Sequence, residues 1–105
     1  MSFAVVLVTV SSVEEGQKIA RAVLERRLAA CANLVPGVRS LFWWEGKLED
    51  AEETLMVFKT REDAVRKLIE EVQRLHSYTV CEVISLPVSR GNQTYLDWIE
   101  ETVRP

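Results

Sequence analysis

The side chains able to do chemistry gather in two short stretches. One is His76-Ser77-Tyr78, followed closely by Cys81-Glu82; the other centres on Cys31. His76 is the only histidine, and Cys31 and Cys81 are the only cysteines. Imidazole and thiolate suit zinc or copper, and a carboxylate can complete such a set. His76, Cys31, Cys81 and Glu82 are therefore the candidate metal ligands. Their spacing matches no standard zinc pattern, and the plainer reading of His76 is a side chain that caps or packs at a helix end. Both cysteines sit in apolar, strand-like contexts, where free thiols are usually buried. Cys81 and Glu82, adjacent on an expected strand, point to opposite faces and cannot share one metal in one subunit without a bulge. Glu82 has apolar neighbours, so it needs a partner or its pKa rises. Lys59, at the end of another strand, is the candidate for a structural ion pair. Phe42, Trp43 and Trp44 offer faces for stacking a ligand, or equally core and subunit contacts.

Other chemistries are set aside by what is missing. There is no Gly-x-Gly-x-x-Gly, no P-loop and no Gly-x-Ser-x-Gly, so no standard phosphate cradle or nucleophile elbow. The single histidine lacks a nucleophile at fixed spacing, and no enzyme activity is expected. An acylphosphatase-type site needs an anion-binding arginine after the first strand, where this chain has Val10-Ser11-Ser12. Thirteen basic against sixteen acidic side chains leave a net charge of -3, and the basic ones are scattered. That argues against nucleic acid as a partner. No run approaches the roughly 20 apolar residues of a membrane span. The start lacks a basic n-region, and Phe3 to Val10 reads as a strand, so the expected compartment is the cytoplasm.

The elements that must position these residues follow from periodicity. Apolar residues make up 48% of the 105 and charged residues 28%, an ordinary globular profile for one domain, residues 1–105. Phe3 to Val10 is nearly unbroken apolar and fits a buried central strand. Ser11 and Ser12, each three residues ahead of a glutamate, offer a capping box for a helix to about Arg27. Two long apolar runs, Leu28 to Trp44 and Leu55 to Thr60, are joined through Glu45-Gly46, a hairpin signal. Pro36-Gly37 predicts a bulge or bend in the outgoing strand. Lys47 to Glu53 reads as a solvated stretch or the far tip of a projecting arm. Thr60 reads as the N-cap of a second helix over about Arg61 to Leu75. Val80 to Val88 reads as a fourth strand, with Val80, Glu82, Ile84 and Leu86 on one face and Pro87 at its end or edge. Asn92 caps a short last helix.

The order is βαββαβ plus a short helix: an α+β, ferredoxin-like split arrangement with a four-stranded antiparallel sheet. Both main helices cover one face, yet Leu55-Met56-Val57-Phe58 is apolar on both faces. An open face that apolar is an association surface. Burying even about 400 Å² per subunit would contribute on the order of 10 kcal/mol before association costs. An obligate oligomer is expected.

The run Glu25 to Gly37, containing Leu28-Ala29-Ala30-Cys31, resembles the CutA family of divalent-cation tolerance proteins. The resemblance continues through Ser40 to Lys47, with Trp44-Glu45-Gly46, and through Lys59-Thr60, His76-Ser77-Tyr78, Glu82, Leu86-Pro87-Val88 and Gly91-Asn92 to Trp98. It implies a ferredoxin-like subunit in a tight homotrimer whose long hairpins pair across subunits, similar to PII signalling proteins. It also implies a cytoplasmic protein of divalent-cation tolerance, notably to copper, with weak metal binding, no required cofactor and no membrane or nucleic-acid partner. The implied cleft between subunits gathers Cys31, Trp44, Lys59, His76, Tyr78 and Glu82. The alternative is a PII-like module whose cleft binds a small anion or a protein partner. This chain departs from the family pattern at Ser77 and Cys81, where prolines are usual. It also carries Val8 and Leu75 where some members place a cysteine and a second histidine associated with copper. Cys81 is the one added thiol.

Overall fold

A computed structural model describes residues 1–105. Strand β1 (Phe3–Val10) leads into helix α1 (Val13–Glu25), then the hairpin of β2 (Cys31–Trp44) and β3 (Lys47–Arg61). A 3-10 turn (Glu62–Ala64) opens helix α2 (Val65–Leu75), followed by strand β4 (Val83–Pro87) and helix α3 (Gln93–Thr102). The sheet order is β2-β3-β1-β4, antiparallel throughout. This is the expected ferredoxin-like arrangement.

Local chemistry explains most boundaries. Ser12 caps α1 by accepting the Glu15 N–H, and the Glu15 carboxylate accepts both the N–H and the hydroxyl of Ser11. The helix ends two residues before Arg27. Arg27 sits at φ 58°, and the bonds Arg27 N–H to Leu24 and Leu28 N–H to Val23 close a Schellman cap. Glu45 and Gly46 both take positive φ, 50° and 77°, the conformation of a type I′ turn. Register shifts between Val35 and Val38, so Pro36-Gly37 is a bulge, with Gly37 at φ 75°.

The core lies between the sheet and helices α1 and α2. Ala4, Val6, Val8 and Val10 of β1 and Met56 and Phe58 of β3 meet Ile19 and Val23 of α1 and Leu68 and Val72 of α2. Helix α3 covers only one end of the opposite face, where Ile99 and Val103 bury Phe3 with Ala64. The remainder of that face carries Val5, Leu7 and Val57, partly buried, and Val35, Ile84 and Leu86, exposed. No helix is long and apolar enough to cross a membrane.

Two expectations need correction here. Thr60 is not a helix cap: it lies inside β3, fully buried, and its hydroxyl donates to the Leu28 carbonyl at 2.7 Å. Its pairing with Ala4 of the central strand outweighs the local capping signal. The fourth strand begins at Val83, not Val80. Residues 80–82 lie outside the ladder, so strand alternation does not govern Cys81 and Glu82. Lys47 to Glu53 forms the projecting arm as expected, a largely exposed strand segment paired residue by residue with β2.

Candidate functional site

The arm exists because the strands differ in length. β1 has eight residues and β3 fifteen. Their pairing stops at Val10 opposite Thr54, so β2 and β3 run on as a two-stranded ribbon. On one face of that ribbon Val38 stands opposite Glu53, Phe42 opposite Glu49 and Trp44 opposite Lys47. The connection after α2 closes against the base of the arm. Tyr78 donates its hydroxyl to Glu53 Oε2 at 2.8 Å. Burial and then this hydrogen bond push the Tyr78 phenol up to about 12, so it remains a donor at neutral pH.

His76 pins the connection in place. Its side chain is wholly enclosed. The Tyr78 N–H donates to Nδ1 at 3.0 Å, and Nε2 lies 2.7 Å from the Thr9 carbonyl. A ring whose Nδ1 accepts and whose Nε2 faces a carbonyl is the neutral Nε2–H tautomer. Glu15 completes the clamp by accepting the Ser77 N–H at 2.8 Å. Burial raises the Glu15 pKa, but hydrogen bonds from Ser11 and Ser77 outweigh it and hold the carboxyl at about 2.

Between the arm and this connection lies a cavity of about 560 Å³. Trp44, Phe42, Val80 and Tyr78 form its apolar wall, and Glu53, Cys81 and Glu82 its polar side. An adjoining hollow of about 490 Å³ shares Phe42, Trp44, Tyr78 and Val80. Trp44, Tyr78, Cys81 and Glu82 are thus brought together within one chain, with His76 as the support behind them.

Cys31 and Lys59 lie elsewhere. They are directly paired across β2 and β3, on the sheet face that α3 only partly covers. The Cys31 thiol is 3.6 Å from the Tyr95 hydroxyl. Burial and then this contact push the Tyr95 phenol up to about 12. Lys59 donates to the Asn33 side chain, and Glu82 forms no ion pair with it; Glu82 is solvent-exposed. The expected Lys59–Glu82 pair is therefore corrected: β4 starts too late to carry Glu82 onto the sheet, and Asn33, two residues along from Cys31, takes the ammonium instead. No three histidine, cysteine or acidic side chains of the single chain converge as a metal set.

Two members of the site gave weak signals in the sequence. Glu53 sits in a charged run that reads as solvated, and Glu15 reads only as a helix-capping acid. Asn33 had no signal apart from its place two residues after Cys31.

Residues 4–102 match the family profile described as CutA1 divalent ion tolerance protein. The chain is similar to the divalent-cation tolerance protein CutA of Thermus thermophilus, 48% identical over 97 residues, covering 92% of this chain and 94% of that protein. It is 45% identical over 100 residues to the chloroplastic protein CutA 1 of Oryza sativa, covering 95% of this chain and 56% of that longer protein. A crystal structure of CutA1 from Oryza sativa superposes with a TM-score of 0.96 at 43% identity, covering 99% of this chain and 95% of that one. The structure of the periplasmic divalent cation tolerance protein CutA from Archaeoglobus fulgidus gives a TM-score of 0.94 at 43% identity, covering 97% and 99%. The Thermus thermophilus and Archaeoglobus fulgidus relatives are divalent-cation tolerance proteins by name. On a matched span that takes in the sheet, α1, α2, the arm and the His76 connection, this chain belongs to the CutA1 divalent ion tolerance protein family.

Proposed function

We propose that the chain acts as a cytoplasmic homotrimer in divalent-cation tolerance, copper above all, and binds metal weakly where copies meet. The observation that carries this reading is the half-covered sheet. Val35, Ile84 and Leu86 are each 45–51% exposed, beside Val5, Leu7 and Val57, on a face that α3 leaves open. Water penalises such a surface at about 25 cal/mol per Å², and other copies of the chain are its natural cover. Two unpaired thiols suit a reducing compartment.

In such an assembly the groove of one copy, with Cys81 and Glu82, faces Cys31 and Lys59 of another. Thiolate and carboxylate would serve copper or zinc there. His76 joins the ligands only where Tyr78 N–H releases Nδ1. A PII-like module that binds a small anion or a protein partner in the same cleft is the second reading. It is favoured by the lack of a converging metal set within one chain.

Sedimentation equilibrium at micromolar concentration tests the assembly: wild type runs as a trimer, and Leu86→Lys shifts it toward smaller species. A wild-type monomer would overturn the reading. Calorimetric titration of Cu(II) and Zn(II) into wild type, Cys31→Ser, Cys81→Ser and His76→Ala tests the ligands. Equal affinity in all four proteins would remove the metal site and leave the module.

A further inference from the structure

The two thiols cannot serve each other within one chain. Cys31 opens β2 and Cys81 lies two residues before β4, and these are the opposite edge strands of the sheet. Strands β3 and β1 stand between them, so the two edges are three strand spacings apart, about 14 Å. The cysteines also sit at different heights. Cys31 is level with Lys59 and, through it, with Val5. Cys81 lies beyond Val83, which pairs with Val8, and it lines the cavity beside Thr9. A disulfide needs Cα atoms within about 7 Å. Neither thiol therefore has a partner in its own chain, and both are free and half-buried.

In the assembly proposed above, on which this inference rests, Cys81 of one copy faces Cys31 of another. A cyclic trimer joins one patch of each copy to a different patch of the next. A contact between unlike cysteines therefore repeats at every interface and closes the ring. A pair of like cysteines joins two copies and leaves the third out. The surroundings of both sulfurs permit the approach. Cys31 has only long contacts, 3.6 Å to the Tyr95 hydroxyl and 4.0 Å to the Asn33 side chain. Cys81 lies on a connection outside the strand ladder.

We propose that Cys31 of one copy and Cys81 of the next form a reversible disulfide under oxidation, which locks the trimer covalently. With hydrogen peroxide as the oxidant, one thiolate attacks the O–O bond, giving a sulfenic acid and, with the thiol proton, one water. The facing thiolate attacks that sulfur, forms the S–S bond and releases a second water. Two thiols lose two electrons and two protons, and the peroxide takes up both. While the bond lasts, neither sulfur is the thiolate that a copper or zinc site requires. In a reducing compartment the free thiols return.

The test treats the full chain at micromolar concentration with hydrogen peroxide, EDTA being present to exclude metal, then blocks free thiols and runs a non-reducing gel. Wild type is expected to give a covalent trimer that dithiothreitol returns to single chains. Its yield should hold on tenfold dilution, because the partners are already in place. Tryptic digestion should join the peptide 28–39 to the peptide 75–90 through Cys31 and Cys81. Cys31→Ser and Cys81→Ser should each lose every covalent species while sedimenting as the reduced wild type does. Should a variant dissociate, the wild-type peptide map decides alone. Covalent species that survive in either variant, a peptide joining like cysteines, a yield that falls with dilution, or a reduced wild-type trimer that gives no covalent species overturns the proposal and leaves the assembly standing. A reduced wild-type monomer removes both.

Discussion

Replacing Glu15 by glutamine is the sharpest probe of how the site is held. Glu15 accepts from the Ser11 N–H, the Ser11 hydroxyl and the Ser77 N–H, so one carboxylate joins the start of α1 to the connection that frames the groove. Its carboxyl sits at about 2 against an ordinary value of 4.5. A depression of that size corresponds to at most roughly 3 kcal/mol of folding free energy. The side chain is 14% exposed, so solvent screening trims the expected loss to about 1–2 kcal/mol. The sign follows from proton counting. The unfolded chain takes up the proton first as pH falls, so the contribution is full above about pH 5 and fades as the folded carboxyl titrates toward 2. Glutamine never carries the charge. Thermal melts followed by circular dichroism, at fixed chain concentration and ionic strength, should show the variant lower by about 5–10 °C at pH 7. The gap should narrow steadily through pH 4 and 3. A gap of constant size from pH 7 to pH 3 would mean that only packing was lost, and no gap at pH 7 would refute the clamp itself.

Two further substitutions test the frame. Glu45→Asn places a residue at φ 50° that tolerates the left-handed region better than glutamate, and should raise stability by about 0.5–1 kcal/mol, read as a higher guanidinium midpoint at unchanged slope. Thr60→Val removes the buried hydroxyl that serves the Leu28 carbonyl and should cost about 1–2 kcal/mol, seen as a lower midpoint at unchanged denaturant slope.

What could be read from the residues was whatever local chemistry decides. The Ser12 and Asn92 caps, the Glu45-Gly46 turn and the Pro36-Gly37 bulge each rest on a side chain or a φ angle within a few residues. The two-faced apolar character of β3 was legible for the same reason, because alternation is a local property. The misses were settled at long range. Val80 to Glu82 has strand-like composition, yet the Thr9 carbonyl that a longer β4 would use is taken by His76 Nε2, and the ladder starts at Val83. Thr60 carries a capping side chain, but β1 draws it into the sheet. Glu53 looked solvated because its charged neighbours are; only the three-dimensional path of Tyr78 encloses it.

The arm ties these findings together. From Leu41 to Asp50 every residue of the hairpin is exposed, including Trp43 at 74% and Leu48 at 60%. A two-stranded ribbon is marginal in water on its own, and ordering each backbone residue costs about 1–2 kcal/mol. The cross-strand pairs and the Arg39–Asp50 contact contribute only tenths of a kcal/mol to about 1 kcal/mol each. A segment of ten exposed residues with tryptophan at its tip is therefore poorly supported by its own subunit. Either a second copy lies along it, as the proposed trimer supplies, or it frays. Amide hydrogen exchange separates these outcomes: protection along residues 41–50 comparable to that of β1 in the assembled protein, lost in parallel with dissociation of Leu86→Lys, is what the trimer requires, whereas rapid exchange of the arm in the wild type would leave the apolar face without the cover its composition calls for.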